Sequence, residues 1–208
     1  MKPTLRRALS IAALAVLPAV ALAPVAAATT VNVNYACQST ALGTAYTSTL
    51  TQPIDITAPS SVSSGAAFSI VLDPGGADVP ADVGGYDLIR VQDLTFKLPI
   101  PANSTYVSSS LSGGVNVGTT SLTVASGVAT LTASGPVSGG SSFELPTITL
   151  NLTAGAPGTS VQTTLYGTSY SNPGLSATGV VRFLLFNVNV PSACYPSPNP
   201  AITTTAVV

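Results

Sequence analysis

Beyond its N-terminal stretch the chain shows no run of apolar residues spaced three and four apart; apolar and polar residues alternate singly instead. A period of two puts successive side chains on opposite faces of an extended backbone, so the pattern specifies strands with one face buried. Val31, Val33, Tyr35 and Cys37 alternate with Asn32, Asn34 and Ala36, which places Cys37 on the inward face of a first strand. Ile54 and Ile56 flank Asp55 in a second, short strand. Phe68, Ile70 and Leu72 keep the rhythm up to the break at Asp73-Pro74-Gly75-Gly76, and Ile148, Leu150 and Leu152 resume it. Val161 to Tyr170 reads as another strand.

One hairpin is specified down to its register. Ser126-Gly127 is a two-residue turn signal between alternating runs. With Ala125 opposite Val128, Val124 faces Ala129 and Leu122 faces Leu131 on one side, while Thr123 faces Thr130 on the other. A slip of one residue would break that match. A longer strand from about Leu88 to Leu98 changes phase. Ile89 and Val91 are apolar at odd positions, whereas Leu94, Phe96 and Leu98 are apolar at even ones, which predicts a β-bulge or a crossing between sheets near Gln92-Asp93. Val180 to Val190 begins apolar on both faces, interrupted by Arg182, then settles into Phe186, Val188 and Val190 against Asn187 and Asn189, and reads as a central strand covered on both sides. A buried Arg182 would need a carboxylate partner.

Charged residues make up only 6% of the chain, against roughly a quarter in an ordinary domain. Lys2, Arg6 and Arg7 precede an apolar run from Ala8 to about Ala28 that ends in Ala26-Ala27-Ala28. These are the parts of a secretory signal peptide. With residues 1–28 removed, Arg90, Lys97 and Arg182 remain against seven acids. A net-negative chain with three cations lacks the basic footprint that nucleic acid requires. It also lacks a polybasic site for membrane surfaces. No second stretch is long and apolar enough for a transmembrane helix in the mature chain.

Cys37 and Cys194 are the only cysteines, and export makes a disulfide between them the expectation. The chain has no histidine, which removes Ser-His and Cys-His nucleophile chemistry and the commonest transition-metal ligand. Asp73, Asp78, Asp82 and Asp87 lie in or beside the loop DPGGADVPADVGGYD, and carboxylates with loop carbonyls suit Ca²⁺. Their spacing does not match an EF-hand, and Asp serves turns on its own account, so a solvated acidic loop is the simpler reading and no metal is expected. Glu144 is the sole glutamate and Lys97 the sole lysine after residue 28. Neither belongs to a motif for glycoside hydrolysis or a Ser-Lys dyad, and Lys97 reads as an outward strand residue. Asn103-Ser104-Thr105 and Asn151-Leu152-Thr153 match the glycosylation pattern, coincidentally in so hydroxyl-rich a chain.

The stretch DLTFKLPIPANSTYVSSSLSGG (residues 93–114), followed by Gly139-Gly140 and FELPTITLNLTAGAPG, resembles bacterial secreted surface modules of immunoglobulin-like type. In those, a strand leads to Leu-Pro turns, an aromatic-Val-Ser strand and a late Gly-rich element. The Ala/Thr/Ser/Val-rich, Lys-poor usage resembles exported proteins of actinobacteria. The resemblance implies a structural or surface role and no catalytic residues. The expectation is an all-β, antiparallel two-sheet sandwich of about nine or ten strands over residues 29–195, after a cleaved signal peptide. Residues 196–208 form an extended, loosely packed tail. Such a protein would be secreted or associated with the cell envelope. It would act without catalysis or cofactor, through surface contacts with a protein, glycan or envelope component. The alternative is a carrier holding an apolar or lipid ligand between its sheets, which a cavity bordered by Val, Leu and Phe would favour.

Overall fold

The computed structural model describes residues 26–208, so the signal segment expected over residues 1–28 lies outside the described residues except for its last three. The described residues form seventeen strands and no helix. β1 (Ala26–Ala41) and β2 (Thr44–Pro59) make a long hairpin paired from Ala26 opposite Pro59 to Ala41 opposite Thr44. Next come β3 (Ser61–Val62), β4 (Ala67–Asp73), β5 (Gly76–Asp78), β6 (Asp82–Val83) and the long β7 (Tyr86–Pro99). They are followed by β8 (Ser104–Ser112), β9 (Thr120–Ala125), β10 (Val128–Ala133), β11 (Val137–Ser138), β12 (Ser142–Glu144) and β13 (Thr147–Ala154). The chain closes with β14 (Ser160–Thr163), β15 (Leu175–Phe183), β16 (Phe186–Pro196) and β17 (Thr203–Val207).

Twelve strands share one sheet in the order β8-β13-β4-β2-β1-β16-β15-β7-β10-β9, with β6 and β11 also paired to β7. Its two ends, β8 and β9, approach each other, so the sheet curls into a nearly closed wall around its apolar face. Hydrogen bonding thus follows one curled path where two separate sheets were expected. Smaller sheets, β5–β12 and β14–β17–β3, complete the body. The strand count exceeds the expected nine or ten because β3, β5, β6, β11 and β12 span two or three residues each, too few for a period of two to register, because β17 lies in the expected tail, and because the strand expected over Val180 to Val190 is divided between β15 and β16. Pairing is antiparallel except between β17 and β3.

The alternating runs turn their apolar residues inward, as their phase predicts. Val33, Tyr35 and Cys37 on β1, Ile54 and Ile56 on β2, Phe68, Ile70 and Leu72 on β4, and Ile148, Leu150 and Leu152 on β13 are all buried. The hairpin β9–β10 has the predicted register, with Ala125 opposite Val128 and Leu122 opposite Leu131. Ser126 and Gly127 both take positive φ (50° and 74°), the conformation of the two-residue turns that match strand twist. The phase change in β7 is a bulge: Asp93 has φ 55°, and the register against β15 shifts between Ser176 and Thr178.

Three expectations need correction. Val180 to Val190 is not one central strand but the tip of the β15–β16 hairpin, with Phe183 opposite Phe186. Its two-faced apolarity reflects exposure at a turn rather than burial on both sides, and Arg182 is exposed. The turn residues Leu184-Leu185 carry none of the usual turn chemistry, so no turn residue marked the reversal. The strand expected over Val161 to Tyr170 stops at Thr163. Past it, Asn199 bonds Leu165 through its side-chain amide, receiving from the backbone N–H (3.2 Å) and donating to the carbonyl (2.7 Å), which replaces a strand partner. The C-terminal residues are extended but firmly packed. β17 lies between β14 and β3, and Ile202, Thr205 and Val207 are buried. The Thr205 hydroxyl donates to the Pro59 carbonyl at 2.7 Å, and that of Thr203 donates to Thr163 Oγ1 at 2.9 Å, so these polar groups enter the interior already partnered.

Candidate functional site

Cys37 and Cys194 stand directly opposite each other on β1 and β16 and are disulfide-bonded, with Cα atoms 4.1 Å apart. The bridge therefore staples neighbouring strands that the chain brings together from a sequence separation of 157. The sheet carrying it forms the floor of an apolar cavity of about 240 Å³. Tyr35 and Cys194, Leu50 on β2, Val91, Leu94 and Phe96 on β7, and Leu175 on β15 line that side. The β5–β12 ribbon supplies the facing wall through Ala77 and Phe143, with Val79 and Leu145 beside them. Gln52 Nε2 donates to the Pro74 carbonyl at 3.3 Å, which ties the loop before β5 to β2. Ser192 Oγ is occupied by Ser39 Oγ at 2.7 Å. Two of the polar side chains around the cavity, Gln52 and Ser192, are thus already partnered, and most of the named lining is hydrocarbon. Burial pushes the Tyr35 phenol well above the ordinary tyrosine value, because the phenolate would lose its hydration there.

A second apolar surface lies at one end of the sheet. β2, β1, β16, β15 and β7 are successive neighbours, and their register brings three turns to the same end: Leu42-Gly43, Leu184-Leu185 and Gly84-Gly85. Leu42 is 71% exposed, Leu184 78%, Leu185 89% and Phe186 70%, with Tyr46, Val83 and Tyr86 also exposed nearby. Ser39 pairs with Ser192, so the β15–β16 hairpin outreaches the β1–β2 turn by about four residues, roughly 13 Å at strand rise. The Tyr86 and Phe183 rings, 5.4 Å apart, brace it against β7.

The acidic residues are dispersed along this architecture. Asp73 ends β4, where the register sets it opposite Asp55 on β2, whose carboxylate accepts from Thr30. Asp78 accepts from Ser142 Oγ at 2.6 Å across the β5–β12 ribbon. Asp82 and Asp87 face each other across the β6–β7 hairpin. Among the described residues no three acidic or other metal-binding side chains come together, so Asp73, Asp78, Asp82 and Asp87 do not form a common ligand set. Lys97 projects over the Tyr166 ring, 5.3 Å from its centroid. Glu144 sits on β12, where its backbone bonds Val115. Asn103 occupies a turn, with its amide on the Ser160 carbonyl, and Asn151 bridges Ser69 and Ser108 across β13.

Sequence reasoning missed both apolar surfaces. The run RFLLFN held the signal for the exposed end, since a charged and a polar residue bracket four large apolar ones symmetrically. The cavity had no local signal, because its walls come from seven strands.

No family model matches the chain, and no curated protein does. Among solved structures, a protein of Corynebacterium diphtheriae described as a "putative membrane anchored protein" is similar in fold, with a TM-score of 0.55 at 18% sequence identity. The likeness covers 86% of this chain but 38% of that one, so this chain corresponds to well under half of the Corynebacterium protein. At that identity the shared property is the fold.

Proposed function

We propose that the chain is a non-enzymatic protein of the cell envelope or extracellular space that works through surface contacts, its curled sheet packing as an immunoglobulin-like sandwich. The observation that carries this reading is the apolar hairpin end, where Leu42, Leu184, Leu185 and Phe186 are exposed together at one end of the sheet. Folded chains rarely leave such a patch without a use for it. The signal-like N-terminus, the disulfide and the fold shared with a protein described as membrane anchored support an envelope setting. The lack of histidine supports a role without catalysis. The test is cosedimentation with isolated bacterial envelopes. The wild-type chain should pellet and L184S/L185S should stay in solution with an unchanged melting temperature. Equal pelleting of the two, or robust turnover in an activity screen, would reject the proposal.

A second reading, a carrier for an apolar ligand, is favoured by the 240 Å³ cavity beside the disulfide. That volume is just below the usual range for small-molecule sites, roughly 300–1,000 Å³, so the ligand would be small or only partly enclosed. Native mass spectrometry should find an apolar molecule retained by the wild-type chain and absent from L94W, in which the indole fills the space. A ligand-free wild-type chain that also fails to take up a fatty acid would remove this reading.

A further inference from the structure

We infer that the apolar hairpin end is a lipid-inserting tip, and that the surface it contacts is the interface of a bilayer. The inference rests on the proposal that this end is the working surface, and it names the partner's chemistry. The β15–β16 hairpin is layered along its axis. Leu184 and Leu185 form the apex, Phe183 and Phe186 pair one step behind, and Arg182 pairs with Asn187 one step behind those. Aliphatic, then aromatic, then cationic and amide is the order of environments met on leaving a bilayer: hydrocarbon, the headgroup level that aromatic rings prefer, and the phosphate layer that a long cation reaches. The Leu42-Gly43 turn stands about 13 Å back from the apex, and Tyr86 flanks the second layer, stacked near Phe183.

The shape argues for the same partner. A convex apex two residues wide meets a flat protein at a point, short of the roughly 800 Å² per side that a stable protein interface buries. A fluid interface closes around it. Charge does not select the lipid. Arg182 is the cation on the tip, while Asp82 and Asp87 lie on the adjacent hairpin, so insertion is driven by apolar burial and takes place on zwitterionic lipid.

The chain contains no tryptophan, so a single one reports its own surroundings. Leu185→Trp, with Phe186→Trp as a second reporter, is placed in the full chain and mixed with phosphatidylcholine vesicles. Emission should shift to the blue and be quenched by lipids brominated near the top of the acyl chain, with little change between low and high salt. Val107→Trp, at an exposed apolar position on β8, should stay at its aqueous wavelength. Adding L184D should weaken partitioning about tenfold or more. If the chain pellets with vesicles while both tip reporters stay aqueous, the attachment lies elsewhere and the inference is overturned. A blue shift that grows with protein concentration in the absence of vesicles overturns it in favour of a second copy. Tip-dependent pelleting with envelopes, together with aqueous reporters on vesicles, would reject lipid as the partner while leaving the surface-contact function standing.

Discussion

The inner belt of the sheet and its hairpin end are built from the same residue types and put them to opposite uses. Ile56, Leu72, Leu98, Ile148, Leu150 and Leu152 are each 0% exposed. Leu184 and Leu185 are 78% and 89% exposed. A leucine enclosed on all sides gains its transfer free energy when the chain folds, whereas one at the apex gains nothing until something else covers it. Apolar residues that leave folding uncompensated point to a use after folding. The cavity is intermediate: Tyr35, Leu94 and Phe96 in its wall are buried while Leu50 is exposed, so part of the hydrophobic gain there is left for a ligand to complete.

Several measurements would break or sharpen this contrast. The largest effect belongs to the bridge at the cavity floor. Reduction, or C37S/C194S, should destabilise the fold by up to about 5 kcal/mol, because the closed loop is long. Denaturant titration with and without reductant checks this, and an unchanged midpoint would mean that the sheet alone holds β1 to β16. Next, L150A should cost about 2–5 kcal/mol by the same titration, since β4 and β8 flank β13 and leave a truncated site little room to collapse.

Tyr35 links the cavity to pH. Its raised folded value means that the unfolded chain gives up the phenolic proton first, at about pH 10. Its share of stability is therefore complete below about pH 10 and is lost as pH rises toward the folded value, by up to about 1.4 kcal/mol per pH unit. Melts from pH 9 to 11 should fall more steeply for the wild-type chain than for Y35F. Smallest of all, L184S and L185S should change stability by no more than about 0.5 kcal/mol, against the several expected of L150A. A tip variant that unfolds the chain would show that the apex is part of the core and would erase the distinction between the two regions.

Much of the local structure was legible beforehand. The β9–β10 register followed from turn length and apolar phase acting together, and Asp93 betrayed the β7 bulge through a change of parity. The β15–β16 turn escaped because Leu184 takes φ 55° without glycine or asparagine to mark it. The tail's prolines read as loose chain, while the threonines and Val207 that pack it had no visible partner until β3 and β14 were placed beside them. The acidic loop supplied candidate ligands at plausible separations, and the strands then carried Asp73, Asp78 and the Asp82–Asp87 pair to different places.

What the sequence determined by itself was the all-β character, which faces of the strands turn inward, and where glycine-bearing turns reverse the chain. These depend on backbone stereochemistry and a period of two, which act over a few residues. The tertiary structure alone decided which strands neighbour one another, and hence that twelve of them curl into one wall, that a cavity opens beside the disulfide, and that three turns gather at one end. An apolar side chain in the sequence states that it should leave water. Whether a strand, a ligand or a lipid receives it depends on contacts between residues far apart in the chain, and no local pattern encodes those.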